Sequence, residues 1–157
     1  MVIGAGIAGA AAAANLAPDR RVALIEAEES AGYHTTGRSA ATWFLNYGPP
    51  DVRAMTGASG AFFHNPPPGF TAAPLKIRRG VHARAGLRSF LPDGSFALGW
   101  DVSAEGFFWC IGQGGYGIQT SPAAGRLVAD LVAGRDPGEL GRILARIDPR
   151  RFVVAIA

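Results

Sequence analysis

The segment Gly4-Ala5-Gly6-Ile7-Ala8-Gly9 constrains this chain more than any other. It follows the apolar run Met1-Val2-Ile3, which reads as a strand, and opens the alanine-rich stretch from Ala8 to Leu16, which favours helix until Pro18-Asp19 stops it. Val22 to Ile25 is a second short apolar strand, ending at Glu26. Residues 1–26 thus spell strand, glycine-rich turn, helix, strand and acidic residue. Gly4 permits the tight turn, Gly6 lets backbone approach a pyrophosphate, and Gly9 lets helix pack on strand. The helix N-terminus offers free N–H donors and the positive end of its dipole. Glu26, at the end of the second strand, is placed to accept ribose hydroxyls and disfavours a 2′-phosphate, which argues against NADP. The pattern points to a dinucleotide and is neutral between NAD and FAD. The plain alternative is a glycine-rich turn in an ordinary α/β unit.

Length and composition fit one soluble domain with a real core: 157 residues, of which 48% are hydrophobic and 17% charged. The +3 formal charge comes from scattered arginines, and Arg150-Arg151 is too small a cluster to mark a nucleic-acid surface. Cys110 is the lone cysteine, so no intrachain disulfide forms. No run approaches the ~18 apolar residues of a membrane span, and the N-terminus lacks a basic leader; the expected setting is cytoplasmic. His34, His64 and His82 have no companions at metal-ligand spacing, and no metal site is expected.

Further along, a short helix is expected over residues 38–45 and a second over 51–63, before the break at Asn65-Pro66-Pro67-Pro68-Gly69. Leu75 to His82 reads as a strand and Pro92-Asp93-Gly94 as a turn. Phe107 to Ile111 is a third, buried strand, with Cys110 a small buried hydrophobe, and it runs into Gly112-Gln113-Gly114-Gly115-Tyr116-Gly117. Ser121 reads as an N-cap with Pro122 at the first helical position; that helix continues to Ala133, with Gly134 as its C-cap. A last short helix is expected over residues 137–146.

The segments Gly4–Gly9, Val22–Glu26 and His34-Thr35-Thr36-Gly37-Arg38-Ser39-Ala40-Ala41 resemble the start of the D-amino-acid-oxidase-like family of FAD-dependent oxidoreductases. This group includes glycine oxidase, sarcosine oxidase and the 2-hydroxyglutarate dehydrogenases. Residues 84–134, with Arg84-Ala85-Gly86-Leu87-Arg88, Pro92-Asp93-Gly94, the glycine-rich loop through Ile118 and Ser121-Pro122-Ala123, are similar to the family's C-terminal part. The resemblance implies FAD as cofactor. It sets Gly37, Arg38 and Ser39 against pyrophosphate and ring, and Gly114, Gly115, Tyr116, Gly117 and Ile118 beside the pyrimidine edge. It makes Arg88 the ligand of a substrate carboxylate. On the residues alone, the first of these segments also reads as a capped loop, the second as a turn that only packs, and Arg88 as a surface side chain.

The implied fold is α/β, a Rossmann-like FAD-binding domain with a small parallel sheet flanked by helices. Residues 1–80 resemble the family's N-terminal segment and residues 84–152 its C-terminal one, joined as a single domain over 1–157 with the substrate domain largely absent. Exposed sheet edges would then invite self-association. The implied activity is oxidation of an amino acid or hydroxy acid by hydride transfer to flavin, with an acceptor the sequence does not name. A non-catalytic FAD-binding remnant and an NAD-binding module are the alternatives.

Overall fold

The computed structural model describes residues 1–70 and 87–153. The expected strand over residues 75–82 and His82 lie outside this set.

Strand β1 (Val2–Ile3) pairs in parallel with β2 (Leu24–Ile25), Val2 opposite Leu24 and Ile3 opposite Ile25. Helix α1 (Ile7–Leu16) connects them as a right-sized crossover. Ala12, Ala13 and Leu16 turn into the core from α1, while Ile3, Leu24 and Ile25 stay exposed on the strands. The parallel sheet is therefore covered by α1 and open on its outward side.

The third strand departs from expectation. Instead of extending the parallel pair, β4 (Phe108–Ile111) forms an antiparallel hairpin with β3 (Ala97–Trp100). The reason is local. Asp101 accepts from the backbone N–H groups of Ser103 and Ala104, and from the Ser103 hydroxyl, closing a turn that returns the chain through Gly106 at φ +74°. Trp109 donates its indole N–H to the other Asp101 oxygen at 2.7 Å, locking strand to turn. Cys110 on this strand packs against the edge of the core and is partly rather than fully buried.

Helix α4 (Gly117–Ala133) is the spine of the core. It begins four residues before the expected N-cap at Ser121, with Pro122 inside it. An internal proline removes one N–H and opens the local ladder. Two serines fill the gap: Ser121 Oγ donates to the Ile118 carbonyl at 3.0 Å, and Ala123 N–H donates to Ser59 Oγ at 3.1 Å. The helix ends as expected at Gly134, whose φ of +67° is the left-handed cap.

The span read as one helix over residues 51–63 is two, α2 (Pro50–Ala58) and α3 (Gly60–His64), broken at Ser59. The same Ser59 hydroxyl that serves Ala123 also bonds the Met55 carbonyl at 2.9 Å, which favours the turn over a continuous ladder. Residues 38–45 form no helix; a 3-10 turn at Thr36–Arg38 leads into irregular chain. The C-terminal region is a 3-10 segment, Gly138–Ile143, followed by α5 (Leu144–Ile147) and a further 3-10 turn, Pro149–Phe152. Val52, Met55, Phe96, Leu98, Leu127, Leu140 and Ile147 make the centre of the core, between α2, α4, the hairpin and the C-terminal turns.

Candidate cofactor site

The turn from β1 to α1 is built as its glycines require. Gly4 takes φ +89°, which a side chain would strain, and its N–H is bonded to Ile25 O at 2.7 Å. A Cβ on Gly9 would lie 1.9 Å from the Gly4 carbonyl oxygen, so α1 can seat against β1 only with glycine there. Gly6 is the extended residue that opens the helix.

Glu26 reaches back to this turn. Its Oε2 accepts from Ala5 N–H at 2.7 Å, and Oε1 accepts from the N–H groups of Ala27 and Glu28. The Ala5 bond, then those from Glu28 and Ala27, hold the carboxyl below its ordinary range, so it is anionic at neutral pH. Oε2 keeps a lone pair for one further donor.

The 3-10 turn Thr36–Arg38 lies across the start of α1. Thr36 Oγ1 accepts the Ile7 N–H at 2.9 Å, and Gly32 N–H bonds Ala5 O at 3.0 Å. Gly37 N–H in turn donates to Gly32 O at 2.8 Å. The structure thus brings Gly37 and Arg38 to the glycine turn. His34 sits in the same loop, bonded to Glu28 Oε1 at 2.7 Å, as a hydrogen-bonding loop histidine.

The second glycine-rich loop meets the first through the helices. A Cβ on Gly117 would stand 2.8 Å from Ile7 Cγ2, and one on Gly125 would stand 2.5 Å from the Ala11 carbonyl oxygen. Residue 7 touching 117 and residue 11 touching 125 means that α1 and α4 run in the same sense. Their N-termini share one end of the molecule, and two positive dipole ends face the same region.

Beside that region lies a cavity of about 550 Å³. Ser39, Arg88, Gly115 and Ile118 all line it, together with Asn46 and Gln119. Arg88 also ties two loops together: its guanidinium donates to the Arg38 carbonyl at 3.2 Å and to Leu87 O at 3.3 Å. Gly37, Arg38, Gly114, Tyr116 and Gly117 do not line the cavity; for Tyr116 the reason is its ring. Its side chain is 9% exposed and packs in the core against Tyr47 and Phe90, so only its backbone remains on the loop. Gly114, at φ +47°, is closed over by the Phe90 ring. Gly117 is buried at the α1 contact.

Two contributions are not visible in the sequence: the amide of Gln119, and the Thr36 hydroxyl as a cap of α1 rather than only as a donor of an anion site. Thr36 stood within a quoted motif, but nothing in it singled out the hydroxyl as the cap of α1. Gln119 has no local signal at all, because its partners lie more than sixty residues away. Among the described residues no group of three metal-ligating side chains converges, and no helix is long and apolar enough to cross a membrane.

A family model described as FAD dependent oxidoreductase matches residues 1–63 and, as a second segment, residues 49–131. The two matched segments contain both glycine-rich turns, Glu26, the Thr36–Ser39 loop and Arg88. They cover most of the chain, which therefore belongs to this family of FAD-dependent oxidoreductases.

Proposed function

We propose that the chain binds FAD across the shared end of α1 and α4 and oxidises a small amino acid or hydroxy acid. The observation that carries this reading is the convergence of two helix N-termini, that of α1 capped by Thr36, beside a cavity of about 550 Å³ lined by the start of α4. In it the ADP half is held by Gly4, Gly6, Gly9 and Glu26, the last through its remaining lone pair on a ribose hydroxyl. Gly37, Arg38 and Ser39 face the pyrophosphate and the near side of the ring. Of the loop Gly114-Gly115-Tyr116-Gly117-Ile118, Gly115 and Ile118 line the cavity and would lie along the pyrimidine edge.

FAD, when bound, supplies the acceptor for a hydride from a carbon that carries an amine or alcohol. The chain's own contribution is placement and charge. Arg88, lining the cavity, orients the carboxylate of the substrate through its planar fork. The N-terminal end of α4 supplies positive potential where negative charge develops. Thr36 Oγ1 accepts the Ile7 N–H, and its own O–H would be available to donate to a phosphate.

A second reading, FAD binding without turnover, draws on the side chains of Phe44 and Tyr47. Both line the cavity and are about half exposed, so water reaches the space where the electrostatics must act. The test is the visible spectrum of the purified protein after addition of FAD, followed anaerobically by amino and hydroxy acids. Bound flavin that bleaches supports the oxidase or dehydrogenase reading. Flavin that stays oxidised with every substrate leaves binding alone, and a chain that retains no flavin refutes both.

A further inference from the structure

One wall of the cavity, from Ser39 to Tyr47, lacks regular secondary structure, and Ala41 within it holds a left-handed φ of +50°. Alanine does not keep that conformation unaided, so the segment must be held from outside. Two bonds link its middle to the helical framework. Phe44 N–H donates to Gln119 Oε1 at 3.2 Å, and the Trp43 indole N–H donates to the Thr56 carbonyl at 3.2 Å. The two converge, because Gln119 Nε2 donates to Thr56 Oγ1 at 2.9 Å and that hydroxyl donates to Val52 O at 2.8 Å.

The direction of this relay follows from its ends. Phe44 offers only an N–H, so the amide must present its oxygen there and its nitrogen to Thr56. Gln119 is 2% and Thr56 0% exposed, so water does not replace a lost partner easily. Gln119 also follows Ile118 directly, and Gly115 and Ile118 line the same cavity, with Gly115 beside the Tyr47 hydroxyl.

We infer that Gln119 is a positioning residue: its side-chain amide, braced by Thr56, sets the spacing between the Ser39–Tyr47 wall and the Gly115–Ile118 wall. The inference rests on the reading of this cavity as the flavin site for its consequence, weaker FAD binding when the relay is cut. It does not rest on that reading for the anchoring itself.

The experiment uses the full chain with Gln119→Met, Gln119→Glu, Thr56→Val and the Gln119→Met/Thr56→Val pair. Amide hydrogen exchange is read without FAD, and FAD affinity is read by fluorescence titration. In Gln119→Met the Phe44 amide exchanges about tenfold faster while β1 and α1 keep their protection, and FAD binds about tenfold more weakly. Gln119→Glu keeps an acceptor for Phe44 N–H and restores its protection. The pair loosens Phe44 little more than Gln119→Met alone, as members of one relay should.

Unchanged Phe44 exchange in Gln119→Met, or full additivity in the pair, overturns the anchoring. If Gln119→Met does not fold, Thr56→Val decides it by the same exchange: faster supports, unchanged overturns. Loosened exchange with unaltered FAD affinity overturns the positioning role. A wild-type chain that takes up no FAD refutes the cofactor reading and with it that role, while the exchange result still stands for the anchoring.

Discussion

Gly9→Ala puts the central geometry of the site to a quantitative test. The new methyl carbon would stand 1.9 Å from Gly4 O, 3.1 Å from Gly4 C and 3.3 Å from Val2 Cγ1. Reaching even the closest approach that real Cβ atoms make requires about 1.1 Å of movement between α1 and β1. Neither side yields cheaply, because Val2 N–H and Gly4 N–H are each bonded to β2 or its approach at 2.7 Å. Overpacking against fixed backbone costs about 3 kcal/mol at the upper end of its range, and alanine's helix preference returns about 1 kcal/mol. The net loss of about 2 kcal/mol lowers Tm by about 4–8 °C for a chain of this size. Under the flavin reading, FAD affinity falls at least about tenfold as the turn is displaced. The matched control is Gly57→Ala, also inside a helix but exposed, whose Cβ meets only Leu45 Cδ2 at 3.8 Å. It is expected to gain about 0.5–1 kcal/mol. Circular-dichroism melts and flavin fluorescence titrations read both variants. A Gly9→Ala protein that melts at or above the wild-type temperature refutes the close-packing argument.

Two further outcomes follow from the hairpin. The Trp109 indole N–H, then the N–H groups of Ser103 and Ala104 and the Ser103 hydroxyl, hold the Asp101 carboxyl far below the usual range. A carboxyl with a lowered folded pKa stabilises fully above its ordinary value near ~4, and that contribution is lost as pH falls from there through the folded value. Trp109 emission should therefore shift only at strongly acidic pH, and Asp101→Asn should abolish that acid dependence; a transition near the ordinary aspartate value contradicts the assignment. Burial pushes the Cys110 thiol up to about 11, against a minor opposing effect of Gln113. At pH 8 about one thiol in a thousand is then ionised, so iodoacetamide labels the folded chain at least about a hundredfold more slowly than the unfolded one. Equal rates would show that Cys110 is not desolvated.

What the sequence made legible was local. The Gly4–Gly9 turn, Glu26 after the second strand and the Gly134 cap are each determined by near neighbours, and each stands where the pattern puts it. The start of α4 was not legible. Ser121-Pro122 carries the chemistry of a helix start, and what lets the helix run through it is Ser59, 64 residues earlier. The hairpin was legible in principle, since Asp101, Ser103 and Gly106 form a recognisable turn between apolar runs. Apolar content alone marks Phe107 to Ile111 as a strand and does not say which strand it pairs with. Ser39, Arg88, Gly115 and Ile118, far apart in sequence, line one cavity, whereas Tyr116 turns into the core. No spacing rule separates a loop residue that faces a ligand from one that packs beneath it.

The seating of α1 on α4 also sets when the site comes into being. Ile7 meets Gly117 and Ala11 meets Gly125, so partners about 110 residues apart along the chain define the seating of α1 and of the turn that opens it. A nascent chain displays Gly4 to Gly9 well before α4, the second helix of that electrostatic end, has been made. Loop closure over that distance must precede productive capture of a dinucleotide, and any nucleotide that holds the closed ensemble lowers the entropic cost of keeping it closed. Under the flavin reading the cofactor would act as a clasp, since α1 and α4, far apart along the chain, are fastened to each other beside the cavity that it would occupy.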